Sequence, residues 1–285
     1  MIDFRYHAMS LAAVFVALAL GLLIGITLGD TNLISNVRGN LEDSLKQDLN
    51  EARGQASERK QQIERQNDFI GATYAQLVRG ELRGERVATI GSAEVAQSTL
   101  RSVTRAVEPA GADVSYVAQL VAKPQYERIA SAFGVSKLIK GDEPTPAEAD
   151  QLGRAVGRRL VRARNGVAMR RLVFSRLSGS FQRARLFAYA RQVPPDADSA
   201  SGKVFDGFER GVVAGISQQA ERVAGVENTT TSPSNIKWYN SLGLSTVDNI
   251  QDYSGYYALV AILNGAKGDY GTKESADAIA PQVGL

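Results

Sequence analysis

Arg86–Ala118, RVATIGSAEVAQSTLRSVTRAVEPAGADVSYVA, is the stretch that decides how the larger part of this chain is built. Arg86–Gly91 (RVATIG) is a short apolar run closed by glycine and reads as a strand. A helical stretch follows from about Glu94 to Val107. Pro109, Ala110 and Gly111 punctuate it, and Asp113–Ala118 (DVSYVA) reads as the next strand. Strand, helix and strand in this order form a βαβ unit, in which the two strands are expected to pair in parallel. The Gly91-Ser92 turn has a single glycine, without G-x-G-x-x-G spacing or a Walker lysine, so it carries little of a nucleotide-binding signature.

The alternation continues downstream. Thr145-Pro146-Ala147-Glu148 supplies an N-cap, a proline at the first helical position and a capping-box Glu, opening a helix to about Arg164. Arg185–Gln192 (RLFAYARQ) is a further strand candidate, followed by the loop PPDADSASG at 194–202. A helix over Phe205–Arg222 and a short strand Val223–Val226 come next. Asn240–Asp252 is turn-rich, Tyr256–Leu263 (YYALVAIL) is a buried, helical element, and NGAKGDYGTK at 264–273 is a Gly-rich loop. Residues 83–285 are therefore expected to form an α/β domain on a parallel sheet of four or five strands.

Upstream of it, Ala8–Leu28 runs without a charge and at about 1.5 Å per residue is long enough to cross a bilayer's hydrocarbon core. Ala17-Leu18-Ala19 has the small-x-small pattern of a signal-peptidase site. It lies mid-segment, however, and cleavage there would expose LGLLIGITLG, so an uncleaved anchor over residues 1–30 is the expectation. Arg5 precedes the helix while Asp30, Glu42 and Asp43 follow it. The positive-inside rule places the N-terminus inside and the remainder outside the cytoplasm. Ala13, Ala17, Gly21, Gly25 and Gly29 recur every four residues, the small-residue stripe on which membrane helices approach closely.

Residues 31–82 carry a heptad. Leu49, Ala56, Ile63, Ile70 and Leu77 stand seven apart, with Leu45, Ala52, Arg59, Gln66 and Thr73 four residues before them, a seam half apolar and half polar. Gly39 and Gly54 each weaken such a helix by about 1 kcal/mol relative to Ala. Tethering to a membrane helix that pairs would raise the effective concentration and favour a parallel homodimer. An amphipathic helix lying on its own domain is the competing reading.

Composition removes most chemistries. Of 285 residues none is Cys, one is His and three are Met. Disulfides, thiolate metal sites and cysteine nucleophiles are excluded, and neither a multi-histidine metal site nor a Ser-His-Asp triad is available within one chain. No nucleophile–base pair or carboxylate dyad stands out, so the chain reads as a non-enzyme. Charge is concentrated: between Gln151 and Pro195 there are eleven Arg, no Lys and no acid. Arg158, Arg159 and Arg162 are the candidate contact to an anionic polymer, a lipid headgroup or an acidic envelope protein. Alternatively the block solvates a helix face and pairs acids elsewhere. Nucleic acid is not an expected partner.

The opening RYHAMSLAAVFVALALGLLIGITLGD, the coiled coil, the βαβ start at Arg86, and the closing LGLSTVDNI and NGAKGDYGTKESADAIAP together resemble the actinobacterial copper-transporter family, the mycobacterial copper transport protein B-like proteins. The most specific marks are His7-Ala8-x-Ser10-Leu11 and the loop Gly268-Asp269-Tyr270-Gly271-x-Lys273. The resemblance implies an envelope protein of copper homeostasis, with copper as the transported ion and the outer membrane as an alternative location. The residues themselves show no copper-ligand cluster: Met1, Met9 and Met169 are far apart, and Asp248, Asp252 and Asp269 are separated turn residues. One helix per chain forms a pore only with several copies around an axis. A structural envelope protein, a dimeric anchor and stalk presenting the α/β domain to a cell-wall or division partner such as a peptidoglycan hydrolase, is the second functional reading.

Overall fold

A computed structural model of the chain describes residues 4–28, 31–139 and 143–282. They fall into two compact units, divided between Asp68 and Phe69.

The first unit is helical. Helix α1 spans Phe4–Leu28 and α2 spans Thr31–Leu77. Within α1, His7–Thr27 is long and apolar enough to cross a membrane, with none of it buried inside the protein. Helix α2 is continuous over the heptad region. Its first-unit part is stabilised locally by i,i+4 pairs such as Gln47–Glu51 and Lys60–Glu64.

The second unit begins with the last turns of α2, where Tyr74 is buried against Tyr253 and Tyr256. Its strands are β1 (Arg86–Gly91), β2 (Asp113–Leu120), β3 (Phe174–Gly179), β4 (Leu186–Ala190), β5 (Arg222–Val226), β6 (Ser245–Val247) and β7 (Asp269–Tyr270). Its helices are α3 (Gln97–Val107), α4 (Tyr126–Ala132), α5 (Pro146–Val161), the three-residue α6 (Gly166–Ala168), α7 (Ala200–Ser217), α8 (Ile236–Asn240) and α9 (Tyr253–Asn264). The strands make one sheet in the order β3-β2-β1-β4-β5-β6-β7, parallel throughout except for β3, which runs antiparallel to β2. The expected parallel α/β architecture is present, with seven strands where four or five were read.

The central strands are buried on both faces, whereas the edge strand β3 is mostly exposed, and in the central strands alternate residues serve different cores. From β4, Phe187 and Tyr189 join the core under α5, α7 and α8. Leu186, Ala188 and Ala190 join the core under α3 and α9. Helices α5 and α7 run in step at very short range: a Cβ on Gly153 would lie 2.8 Å from the Val212 nitrogen, and one on Gly215 2.8 Å from the Arg154 Cα. Glycine is what lets the two backbones touch.

Several expectations shift. The capping box forms as read, with the Thr145 amide donating to Glu148 Oε2 (2.9 Å) and the Glu148 amide donating to Thr145 Oγ1 (3.3 Å). Its helix stops at Val161, short of Arg164. Helix α7 begins at Ala200, inside the segment read as a loop, because Ser199 Oγ caps the Gly202 amide at 2.9 Å. The arginine block contains strand β3, and the turn-rich and Gly-rich segments near the C-terminus contain β6 and β7.

Candidate functional site

In an open doubly wound sheet, ligands enter outside the carboxyl ends of the strands, where the strand order reverses. Here that place lies between β1 and β4, and it is bridged. Ser92, directly after β1, receives the Gln192 amide on Oγ at 2.9 Å, while its own amide donates to the Ala190 carbonyl at 2.8 Å. Gln119 at the end of β2 donates from Nε2 to the carbonyls of Ala93 and Val95, both at 2.8 Å, and accepts from Gln97 Nε2 at 2.6 Å. The loop that would cradle a phosphate is thus tied down by the protein's own amides. At Gly91 a Cβ would press on Leu100 at 2.9 Å, so this glycine serves close packing of α3.

Further along the carboxyl rim lies a buried ionic cluster. Arg191, after β4, donates to Glu209 Oε2 (3.2 Å), Asp206 Oδ1 (2.8 Å) and Asn235 Oδ1 (2.8 Å), and its guanidinium lies 4.5 Å above the Trp238 ring. Glu209 is fully buried and also accepts from the Tyr189 hydroxyl at 2.8 Å. Burial raises the Glu209 carboxyl to about 7, against the pull of the Arg191 charge and the hydrogen bonds from Tyr189 and Arg191. Burial, with Glu209 beside it, pushes the Tyr189 phenol well up. The Tyr239 hydroxyl accepts from the Arg191 amide and donates to the Val226 carbonyl, stitching β4 to β5.

The C-terminal Gly-rich segment closes this rim. Lys273 Nζ donates to Glu227 Oε1 (2.5 Å) and to the Thr231 carbonyl (2.8 Å), and Glu227 also accepts from the Ser234 hydroxyl and the Asn235 amide. Asp248, after β6, accepts from the amides of Thr272 and Lys273 at 2.7 and 3.0 Å. Gly271 has φ +146° and no side chain would fit beside the Asp248 carboxylate. Asp269 accepts from Asn240 and Thr246. The loop Gly268–Lys273 is a strap across the ends of β5 and β6.

The arginine block divides into three groups. Arg154, Arg185 and Arg191 pair with carboxylates. Arg158 donates to Gln218 Oε1 at 3.3 Å and Arg162 to Gln219 Oε1 at 2.6 Å. Arg159 donates to the carbonyls of Ala155 and Phe133 and lies over the Phe133 ring. Burial, and then the charges of Arg158 and Arg164, lower the Arg159 guanidinium from its ordinary value. These three tie α5 to its neighbours through neutral acceptors. Arg164, Arg170, Arg171, Arg176 and Arg183 are exposed and make no ion pair among the described residues. Arg171 joins Lys123 and Arg128 along a groove of about 830 Å³ outside the end of β2.

In the first unit, Ala13, Ala17, Gly21 and Gly25 are exposed and share one stripe of α1, whereas Gly29 lies outside the described residues. Leu49, Ala56 and Ile63 are exposed on α2, and so are Ile70 and Leu77 on its last turns. Among the described residues no group of three or more His, Asp or Glu is placed to hold a metal ion. The buried charges Glu209 and Glu227 escaped the sequence reading; their signal was an acid directly after an apolar residue, in FERGVV and AGVENT.

No curated protein matches the chain. A family model does, over residues 1–200, which takes in the apolar helix, the heptad region and the sheet as far as the start of α7, though not the strap. The match covers 200 of 285 residues, and the chain belongs to the family described as copper transport outer membrane protein, MctB.

Proposed function

We propose that this chain is a single-pass envelope protein acting in copper transport or homeostasis, anchored by the α1 helix with its N-terminus inside and its α/β domain outside the cytoplasm. Family membership over residues 1–200 is the observation that carries the copper role. The uncharged His7–Thr27 span supports the anchor. The exposed seam Leu49, Ala56, Ile63, Ile70 and Leu77, a continuous apolar series on a helix of 47 residues, supports pairing of two copies. Copper is cargo in this reading rather than a resident ion. The cell membrane is the anchor's place, with the outer membrane of the family description as the other address. No observation favours the reading as regulator of a cell-wall or division partner.

The test is copper content in cells lacking the protein, complemented either with the full chain or with a chain whose residues 8–28 are replaced by an unrelated membrane helix. The full chain is expected to restore wild-type copper levels. Equal copper content with and without the protein, across added copper concentrations, overturns the role. Protease shaving of whole cells tests the topology: the α/β domain is expected to be cut from outside.

A further inference from the structure

The groove outside the end of β2 gathers cations that make no ion pair among the described residues. Its lining includes Lys123, Arg128 and Arg171 and contains no carboxylate. All three are exposed and none forms an ion pair among the described residues. Arg128 has one neutral tie, to Gln125. Three like charges line one groove, and among the described residues no carboxylate is paired with them. The backbone of the rim is also unusual. Ala163 and Asn165 hold positive φ, +50° and +57°, and Met169–Val173 is a π-helical turn that buries Met169 and Val173 and leaves Arg170 and Arg171 facing water. Such conformations cost free energy and cluster where a site needs them. The remaining wall is apolar, with Val121, Leu172 and Val167, the last 70% exposed.

We propose that this groove binds a phosphate ester: the phosphate is held by Lys123, Arg128 and Arg171, and an uncharged organic part lies against Val121, Val167 and Leu172. Guanidinium groups match phosphate oxygens bidentately. The volume is that of a site for a small organic ligand. The ester could come from a lipid headgroup or from a soluble phosphorylated compound, and both present the same chemistry to the three cations. Position in the fold agrees: the switch point between β1 and β4 is bridged by Ser92 and Gln192, and the rim opens beyond β2 instead.

The full-length protein in non-ionic detergent micelles is titrated calorimetrically at low salt with glycerol 3-phosphate and, separately, with short-chain phosphatidylglycerol. Binding of either is expected. Binding of the lipid alone assigns a headgroup, and binding of both assigns a soluble ester as sufficient. The triple variant Lys123→Gln/Arg128→Gln/Arg171→Gln is expected to weaken binding at least tenfold. Arg158→Gln/Arg162→Gln, in the same arginine block but held by Gln218 and Gln219, leaves it unchanged. A readout independent of variants is phenylglyoxal labelling mapped by mass spectrometry, in which the bound ester is expected to protect Arg128 and Arg171 and not Arg183. The proposal is overturned if neither probe binds, if the triple variant binds as well as the wild type, or if labelling of Arg128 and Arg171 is unaffected by the ester.

Discussion

Replacing Gly211 with Ala tests the packing that holds the arginine-bearing face of the sheet together. A Cβ at Gly211 would lie 2.8 Å from the carbonyl carbon of Asp150 and 2.9 Å from its Cα, and closer still to the carbonyl oxygen. Carbon atoms rest at about 3.5–4.0 Å, so α5 and α7 must part by at least about 0.7–1 Å, the carbonyl oxygen asking for more. A gap of that size forfeits a quarter to a half of the dispersion across the crossing. Leu152, Val156, Phe208 and Val212 are fully buried beside it. If the crossing has about 40–60 atom contacts at about 0.1–0.2 kcal/mol each, the loss centres on about 3 kcal/mol. Alanine's better helix propensity returns about 1 kcal/mol, leaving a net cost of about 2 kcal/mol. Trp238, the only tryptophan, stacks on Tyr189 in the same core and reports unfolding by fluorescence. Urea titration of the full chain in detergent micelles should show the midpoint falling by that amount. Gly54→Ala, where a Cβ would meet nothing within 4 Å, adds helix propensity to the first unit and should leave the Trp238 midpoint of the second unit unchanged. A Gly211→Ala protein within about 0.5 kcal/mol of wild type, less than the scatter expected of independent sites, would refute the close-contact account.

Three further outcomes follow from the same structure. Glu209 titrates near 7 when folded against 4.5 for an ordinary Glu, so its protonated form is favoured by the fold. The stability this confers is complete below about pH 4.5 and lost as pH rises through about 7, roughly 3 kcal/mol at about 1.4 kcal/mol per pH unit. Glu209→Gln should flatten that decline in urea titrations run from pH 4.5 to 8, and a parallel decline in both proteins would count against it. Lys273→Met strands the buried Glu227 carboxylate and should cost about 3–5 kcal/mol, with Lys273→Met/Glu227→Gln recovering most of the loss. Ile63→Lys places a charge in the apolar seam, and should abolish cross-linking between copies in the membrane while leaving the Trp238 midpoint intact; undiminished cross-linking would remove the seam from the pairing proposal.

What the sequence revealed was governed by local rules. Arg86–Gly91 was bounded to the residue, because an apolar run between Glu85 and a turn leaves the strand no other extent. Thr145 was found because a capping box is a contact of residues three apart. β3 was missed because its residues, exposed on most positions, carry no apolar run: it exists by pairing with β2 at the sheet edge. β6 and β7 are three and two residues long and are held by neighbours rather than by propensity. The arginine block was visible as composition, but its division into paired, tied and free side chains depends on which acids and amides the fold brings near. Arg158, Arg159 and Arg162 looked like a cluster on a helix end, and the fold supplies each with a neutral partner. The groove cations come from segments up to 48 residues apart, Lys123 and Arg171.

The two halves of the carboxyl rim handle charge in opposite ways, and this decides where function can reside. Around β4, β5 and β6 the buried charges are matched: Arg191 with Glu209 and the half-buried Asp206, Glu227 with the half-buried Lys273, Asp248 with two backbone amides. A matched pair in a low-dielectric interior has already spent its attraction offsetting its own desolvation, and removing a partner only destabilises the fold. Such a half positions strands and leaves little electrostatic free energy for a ligand. Around β2 and the π-helical turn, Lys123, Arg128 and Arg171 are exposed and make no ion pair among the described residues. An anion entering there meets like charges without dismantling any ion pair among the described residues, so the free energy of binding is not cancelled by the loss of one. Charge reversal at Arg171 should therefore stabilise the unliganded domain slightly, or leave it unchanged, while removing the site; Arg171→Glu with an unchanged or raised Trp238 midpoint and lost phosphate-ester binding separates this reasoning from one in which the groove cations hold the fold together.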